Sequence, residues 1–413
     1  MTDILTLEQV LLHLHESEAL ATLQPHWEES MACIPAVPDF LQPQLALSFR
    51  TLCGLSADTN APLTAACEHI QADPALQQLA WHCHQLLWEH PDYTPITKWP
   101  KLNEALGNLS GVFYLLIALA MAPRVASLHQ KMGVPADITR DTCSQVACFA
   151  SNYHGMTNGL LGIPLQQMSW LRNYPTGQLF RIGRFEYRIK PFSGKVEVYR
   201  HKQTKRTMAL ALDGMRYTAA GLVAADDDNT AWTATLQHTA NTVVGCPILP
   251  QGIATQQQME LPLNEWQMVL RQDDLMLDLH IPEGGSMNLA NCADSLRRAA
   301  AFFRQFFPEQ PVQAICSASW IFNTQLQDFK MSSDNLARFQ RELYIFPRKS
   351  GSQDGLWFIF LQDPLDLATA PRRTSLQRAV ADSILSGNTW RSAGMFLLID
   401  DLDKFGSQVY WNS

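Results

Sequence analysis

The sequence predicts an α+β protein in which a helical N-terminal domain, over residues 1–158, precedes a mixed-sheet α/β domain, over residues 159–413. Three observations support this fold class. The first 158 residues show helical periodicity, the residues from 159 onward show the alternation typical of strands, and 413 residues exceed what one ordinary core accommodates. Hydrophobic residues make up 46% of the chain and charged residues 17%, as in a globular protein.

The N-terminal domain carries clear helix signals. Thr6 and Gln9 have the spacing of a capping box, and Leu7, Val10 and Leu14 then fall on one face of the predicted helix. The most apolar run, residues 109–122, is too short to cross a bilayer comfortably. We therefore expect this run to form a buried core helix.

The C-terminal domain begins with alternating strands and continues as a strand–loop–helix–strand unit. Phe185, Tyr187 and Ile189 alternate with charged residues, which predicts a half-buried strand. A strand over 275–281 then leads through a Gly-rich loop to a helix over 288–307 and a strand over 312–321. The remaining predicted elements are a helix over 324–341, a hairpin of strands 343–346 and 356–361, a helix over 375–385 and a strand over 395–399.

Charge and cysteine usage restrict the partners and the compartment. The formal net charge of −8 argues against a nucleic-acid partner and against an anionic membrane. The nine cysteines include no CxxC pair, and the N-terminus lacks the basic region of a signal peptide, so we expect reduced thiols and a cytoplasmic location. His82 and His84 lie two residues apart on a predicted helix and point to different sides, so we expect no metal site there.

Five segments carry a resemblance to one bacterial protein family. They are 280–285 (HIPEGG), 295–308 (SLRRAAAFFRQFFP), 316–321 (CSASWI), 333–340 (SDNLARFQ) and 180–185 (FRIGRF). These segments resemble the family that pairs an N-acyltransferase N-terminal domain with a GNAT-like C-terminal domain, and the resemblance covers nearly the whole chain. It implies a GNAT-like fold for the C-terminal domain.

The resemblance also implies an activity. In the GNAT fold, acyl-CoA places its thioester in the gap between a central strand and a splayed parallel strand, and its pyrophosphate at the loop and helix that follow the central strand. The implied reaction transfers an acyl group from acetyl-CoA or a longer acyl-CoA to an amine of a small molecule or peptide. The strand over 275–281 and the strand over 312–321 would be the two strands of that gap.

The candidate site residues follow from these strand ends and from the loop. The catalytic candidates are His280, Glu283 and Ser319. The substrate-binding candidates are Trp320, Cys316 and Asn335. The cofactor-binding candidates are Ile281, Gly284, Gly285, Ser286 and Asn288, because two glycines before a helix N-terminus let backbone N–H groups approach an anion. A thiolate of Cys316 with His280 as base is a further interpretation, beside that of an inert buried cysteine.

The loop departs from the usual GNAT pattern, which has Gln or Arg, two residues, Gly, one residue, then Gly or Ala. Alignment on Gly284 puts Ile281 at the Gln or Arg position and Ser286 at the last position, and Pro282 removes one N–H donor. Two hypotheses therefore stay open. The chain is an acyl-CoA-dependent transferase, or it is a non-catalytic GNAT-like protein that binds a ligand or partner.

Overall fold

The structure is a computed structural model that describes residues 4–329 and 333–412. It divides into two compact units. The helical unit comprises Met1–Arg181 together with Pro282–Gly284, and the sheet unit comprises Ile182–Ile281 and Gly285–Ser413. This agrees with the predicted α+β class, and each unit is described in turn.

The helical unit consists of short helices joined by 3₁₀ turns. They are α1 Leu7–His13, α2 Leu20–Leu23, α3 Trp27–Ala32, α4 Pro43–Leu52, α5 Asn60–Ala72, α6 Pro74–Trp88, α7 Asn103–Leu106, α8 Ser110–Leu119, α9 Met121–Met132, α10 Ala136–Cys143, α11 Gln145–Met156 and α12 Leu165–Met168. The predicted capping box is confirmed at α1, where the Gln9 N–H donates to Thr6 Oγ1 at 3.2 Å and the Thr6 N–H donates to Gln9 Oε1 at 2.9 Å.

Helix α8 forms the centre of this unit, and all ten of its residues are buried. The prediction of a buried core helix over 109–122 is thereby confirmed. Within the described residues, one stretch is long and apolar enough to cross a membrane. It is Asn103–Met132, with a mean hydropathy of 1.8. Because 78% of that apolar window is buried inside the structure, the stretch has the burial expected of a core helix.

The helical unit extends beyond the predicted division at 158/159. Ile163, Met168 and Leu171 are buried in the same apolar cluster as α8, and so are Tyr174 and Leu179. The boundary between the two units falls after Arg181 instead, within the short strand Phe180–Ile182. The loss of helical periodicity near residue 159 marks a loop within the helical unit.

Within residues 180–329 and 333–412 the structure shows sixteen strands and four α-helices, which belong to the sheet unit except for Phe180 and Arg181 at the start of the first strand. The strands are β1 Phe180–Ile182, β2 Phe185–Pro191, β3 Val196–His201, β4 Thr207–Ala211, β5 Arg216–Tyr217, β6 Trp232–Thr233, β7 Leu236–His238, β8 Thr242–Gly245, β9 Pro247–Leu249, β10 Ile253–Ala254, β11 Met259–Pro262, β12 Trp266–Leu270, β13 Leu275–His280, β14 Ala314–Ser319, β15 Tyr344–Pro347 and β16 Ala393–Leu398. The helices are α13 Leu289–Phe306, α14 Asn335–Arg341, α15 Leu356–Phe360 and α16 Ser375–Leu385.

These strands form one main sheet and three smaller ones. The main sheet has the order β1-β2-β13-β14-β16-β15, and its β13–β14 pair is parallel. The smaller sheets have the orders β10-β9-β4-β3-β12, β11-β8-β7 and β5-β6. A buried ion pair between Arg200 and Asp401 joins the end of β3 to the turn that follows β16.

The two central strands splay apart toward their C-terminal ends. β13 pairs with β14 only as far as Asp278 and Cys316. Beyond that point β13 remains paired with β2 up to His280, and β14 remains paired with β16 up to Ser319. The gap expected between the central strand and its parallel neighbour is therefore present, with His280 at the end of one side.

Two predicted elements differ in the structure. Residues 356–360 form helix α15, so the predicted hairpin over 343–361 is wrong, and β15 pairs with β16 instead. The predicted helix over 324–341 is a 3₁₀ turn at Thr324–Asp328 and helix α14, with residues 330–332 outside the described part. The predictions of α13 and α16 are confirmed, to within one residue for α13.

Candidate active site

A histidine–carboxylate pair lies where the central strands separate. Asp278 and His280 are two residues apart on β13, so their side chains project from the same face of the sheet. His280 Nε2 lies 3.0 Å from Asp278 Oδ2. An ionised Asp278 makes Nε2 the protonated nitrogen, and Nδ1 then bears the lone pair.

Two cations on β2 complete the surroundings of Asp278. Arg188 Nε donates to Asp278 Oδ2 at 3.0 Å, and Lys190 Nζ lies 3.7 Å from the same oxygen. Burial raises the pKa of Asp278, but the hydrogen bond and charge of His280, the charge of Lys190 and the hydrogen bond from Arg188 outweigh that effect and leave the pKa below its usual value. Asp278, only 7% exposed, is thus held as a carboxylate that orients His280.

Glu186 is a second carboxylate close to this pair. It lies directly opposite His280 in the antiparallel register of β2 and β13, and it is only 2% exposed. Directly opposite residues of an antiparallel pair project from the same face of the sheet. Asp278 and Glu186 therefore flank His280 on this face.

A cavity of about 700 Å³ opens onto this face of the sheet. Asp278, His280, Cys316 and Ala318 line it beside the gap between the strands. Further lining residues come from within the segments 188–195, 214–216, 223–226 and 346–349, and from Met276, Ser317 and Gly394. The size is sufficient for a small molecule or a short peptide.

Cys316 lines the cavity as a neutral thiol. It lies opposite Asp278 in the parallel register and is 2% exposed. Burial raises the pKa of Cys316 well above its usual value, and the negative charge of Asp278 raises it further. The thiolate that nucleophilic catalysis needs is therefore disfavoured, so the geometry supports a wall residue rather than a nucleophile.

The Gly-rich loop lies where it was predicted, at the N-terminus of α13. Asn288 is the N-cap, and its Oδ1 accepts the Asn291 N–H at 2.9 Å. Gly284 and Gly285 have φ values of +79° and +73°, which is the left-handed region that glycine tolerates best. In the described part of the chain, no hydrogen bond uses the backbone N–H of Gly284, Gly285 or Ser286.

Two side chains of the sheet unit lie close to Gly285 and Ser286. Asn335 Nδ2 lies 3.5 Å from Ser286 Oγ, so the structure brings together a predicted substrate-binding residue and a predicted cofactor-binding residue. Arg184 is a residue that sequence reasoning missed: its Cδ lies 3.4 Å, and its Nε 3.6 Å, from where a Cβ on Gly285 would be. A cation beside the loop can supply the charge that Ile281 does not. No local pattern indicates this proximity, because Arg184 is about a hundred residues away in sequence.

Other predicted site residues have structural roles in this geometry. Ser319 Oγ accepts the Ile321 N–H at 3.3 Å and caps the following 3₁₀ turn. Trp320 packs in a small helical core with its ring centroid 6.3 Å from that of Trp390, away from the cavity that His280 lines. Glu283 has an exposed side chain and is grouped with the helical unit.

Three histidines of the helical unit bear on the question of a metal site. His82 bonds to Ser30 Oγ at 2.9 Å and to the Leu23 carbonyl at 2.7 Å, so it is a satisfied core histidine. His26, Glu29 and His90 each offer a ligand atom within 4.8 Å of the others, a group of three that sequence reasoning missed. His26 and Glu29 are only three residues apart, but His90 is about sixty residues further along the chain, so no local pattern joins the three.

Comparison with known protein families agrees with the architecture. Residues 179–397 match the GNAT-like C-terminal domain, and residues 46–177 match the N-acyltransferase N-terminal domain. The first match spans more than half of the chain. The protein therefore belongs to the GNAT-like C-terminal domain family, with an N-acyltransferase N-terminal domain before it. No curated protein matches the sequence.

Solved acyltransferase structures share the fold. An acyltransferase in complex with decanoyl-CoA and teicoplanin is 20% identical, with a TM-score of 0.62 over 95% of this chain and 99% of that chain. An acyltransferase in complex with CoA and 10C-teicoplanin is 19% identical, with a TM-score of 0.62 over 95% and 99%. A third, in complex with decanoyl-CoA, is 22% identical, with a TM-score of 0.59 over 94% and 98%.

Proposed function

We propose that this protein is an N-acyltransferase that moves an acyl group from acyl-CoA to an amine of a small molecule or peptide. The observation that carries the proposal is the His280–Asp278 pair, at 3.0 Å, placed at the opening between splayed strands β13 and β14. Family membership and the fold shared with acyltransferases that bind acyl-CoA support the same reaction class.

In the proposed reaction the acceptor amine enters through the cavity. The amine nitrogen attacks the thioester carbonyl carbon as His280 takes the amine proton, a C–N bond forms, and the C–S bond breaks to release the CoA thiolate. The resulting imidazolium lies beside Asp278, whose negative charge stabilises it. His280 then returns the proton to the thiolate, so CoA leaves as a thiol and the amide product is neutral at nitrogen.

The acyl-CoA phosphates would lie at the loop before α13. Gly285 and Ser286 offer backbone N–H groups at the N-terminus of an 18-residue helix, where the helix dipole favours an anion. Arg184 beside Gly285 adds a cation. This arrangement supports the proposal although Ile281 replaces the usual Gln or Arg.

A non-catalytic binding protein is the second candidate function. The buried Pro282, which lacks an N–H donor, and the apolar Ile281 favour it, since both weaken the usual pyrophosphate loop. This candidate predicts that the loop does not hold acyl-CoA, or that acyl-CoA binds without being consumed.

The first test is calorimetry with acetyl-CoA and decanoyl-CoA. We expect binding by the wild type and a tenfold or larger loss in Gly285→Val. Gly133→Val is the matched control, because Gly133 ends α9 with the same φ of +73° and open space around a Cβ. Each variant should lose about 1 kcal/mol of stability from backbone strain. Absence of acyl-CoA binding by the folded wild type, or equal affinity in both variants, would contradict the proposal.

A further inference from the structure

Two histidines and a glutamate lie together in the helical unit. His26 Nδ1 lies 2.8 Å from Glu29 Oε2, and His90 Nε2 lies 3.9 Å from the same oxygen. One ligand atom of each residue lies within 4.8 Å of those of the other two. Around a tetrahedral metal ion with bonds of about 2 Å, neighbouring ligand atoms are roughly 3.3 Å apart. The three side chains are therefore close enough to share one ion after small rotations.

The backbone of α3, which carries the first two ligands, is fixed by its packing on α6. The ring of Trp27, which is buried, lies 4.9 Å from the ring of His82. Trp81 Nε1 donates to the Ser30 carbonyl at 2.8 Å, and His82 Nδ1 lies 2.9 Å from Ser30 Oγ. These contacts hold the first two ligands in one place relative to α6.

The third ligand, His90, follows the end of α6 in a loop that Arg172 fixes. The Arg172 guanidinium donates to five backbone carbonyls, those of residues 86, 87, 90, 91 and 93. The His90 carbonyl also accepts the Tyr93 N–H at 3.0 Å. Because the backbone on both sides of the cluster is already ordered, an ion that binds there would order little more of the chain.

The ligand types fit a divalent transition metal. The hydrogen bond from His26 outweighs the effect of burial and lowers the pKa of Glu29, and the charges of His26 and His90 lower it further. The carboxylate is therefore ionised and can offset part of the charge of a cation. Imidazole nitrogen together with carboxylate oxygen suits Zn²⁺, and three protein ligands leave a fourth position for water.

The three side chains reach solvent, so an ion can enter. Their exposed fractions are 37% for His26, 68% for Glu29 and 23% for His90. In this structure the two imidazole rings are stacked, with centroids 3.7 Å apart and planes 21° apart. The in-plane lone pairs of stacked rings do not converge on one point. Binding therefore requires one ring to turn, which exposed side chains do rapidly.

We propose that His26, Glu29 and His90 bind one Zn²⁺ ion, which ties the start of α3 to the loop after α6. The two histidines are about sixty residues apart, so the ion closes a long loop, and closing a long loop restricts the unfolded chain. The site is a feature of the helical unit. It does not depend on acyl transfer in the sheet unit.

The probe is Zn²⁺ alone, added to the full-length protein without a polyhistidine tag and after removal of metal by a chelator. Calorimetry gives the affinity and the number of ions bound, and thermal unfolding with and without Zn²⁺ gives the shift in Tm. The site variants are His26→Asn, because asparagine tolerates the φ of +64° at this position, and Glu29→Gln. The control is His13→Gln, since His13 Nε2 also lies 2.9 Å from a carboxylate oxygen, that of Asp73.

We expect the wild type to bind one Zn²⁺ per chain with a Kd in the micromolar range or below. Its Tm should rise with Zn²⁺, because an ion bound only by the folded chain stabilises it. Each site variant should lose affinity tenfold or more together with the rise in Tm, and His13→Gln should keep both. Because Glu29 is 68% exposed, Glu29→Gln should stay folded even if His26→Asn does not.

Three results would overturn the inference. They are no saturable binding of Zn²⁺ by the wild type, wild-type affinity in folded Glu29→Gln, and an equal loss in His13→Gln. A fourth concerns Cys33, an exposed thiol at the C-terminal end of α3. Cys33→Ser should bind Zn²⁺ like the wild type, and loss of binding in this variant would assign the ion to the thiol and overturn the inference as well.

Discussion

The buried histidines His82 and His84 of the helical unit are neutral, whereas the buried carboxylate Asp278 of the sheet unit is charged. In the helical unit, burial lowers the pKa of His82 to about 4 and that of His84 to about 3, so both are neutral core groups. In the sheet unit, Asp278 stays ionised among cations and His280 is partly exposed at a cavity. The difference indicates that ionisable groups support packing in one unit and chemistry in the other.

The largest expected effect concerns His280. His280→Gln should lower acyl transfer by on the order of 10²–10⁴, the range for loss of a general base. The matched control is His238→Gln, because His238 also bonds to a carboxylate, Glu197, at 2.8 Å in the same unit but lies away from the cavity. Steady-state rates with decanoyl-CoA and an amine check this. Equal losses in the two variants would remove the distinction between His280 and an ordinary histidine.

The next largest effect concerns a buried ion pair that stabilises the sheet unit. Arg200 and Asp401 are 4% and 0% exposed and form a buried ion pair. Asp401→Asn should cost about 3–5 kcal/mol of unfolding free energy, because it leaves Arg200 buried with its charge poorly compensated. Asp400→Asn is the control, since Asp400 is 87% exposed and lies 3.8 Å from Arg200; we expect little change.

Urea unfolding followed by hydrogen exchange locates that loss. Peptides from β3 and β16 should lose protection in Asp401→Asn, and peptides from α8 should retain it. A loss of less than 1 kcal/mol would mean that this pair is not a structural link of the sheet unit.

The smallest expected effect concerns His84 in the helical unit and the dependence of stability on pH. His84 stacks on Phe40 and Trp81, with ring centroids 4.8 Å and 5.2 Å apart, and its pKa of about 3 lies below the ordinary 6.5. Between these values the unfolded chain binds the proton and the folded chain does not, so stability falls as pH drops from about 6.5 toward 3. At pH 5 the cost is about 2 kcal/mol.

His84→Phe should remove this part of the pH dependence while keeping the stacking. Hydrogen exchange of α6 peptides at pH 5 and pH 7 measures it. We expect the variant to be more protected than the wild type at pH 5, with a smaller difference at pH 7. An unchanged dependence on pH would show that His84 is not buried as a neutral ring.

Sequence patterns correctly predicted the elements that depend on residues close together in the chain. The Gly-rich loop and helix α13 follow from strand and helix signals, whereas the gap beside His280 was expected from the resemblance to the GNAT fold. Asp278 was missed although the signal was present, since residues two apart on a strand share a face. Arg184 and the basic residues that line the cavity were missed because tertiary folding alone brings them to the loop and the cavity.

The wrong predictions have a physical cause as well. The segment 356–360 is a run of apolar residues that fits a buried strand or a buried helix equally by pattern, and packing in a small core with Val380 and Trp390 decides for the helix. Trp320 was expected at the cavity because it follows β14, but it packs against Trp390, which lies seventy residues further along the chain.

The central claim is that an amine in the cavity takes the acyl group of acyl-CoA. The most direct measurement is release of free CoA thiol from decanoyl-CoA by the wild-type protein, with and without an amine acceptor, together with the mass of the acceptor. The account predicts thiol release that depends on the amine and an acceptor heavier by one decanoyl group for each thiol released. Thiol release at the same slow rate with and without amines, and no acylated acceptor, would contradict it.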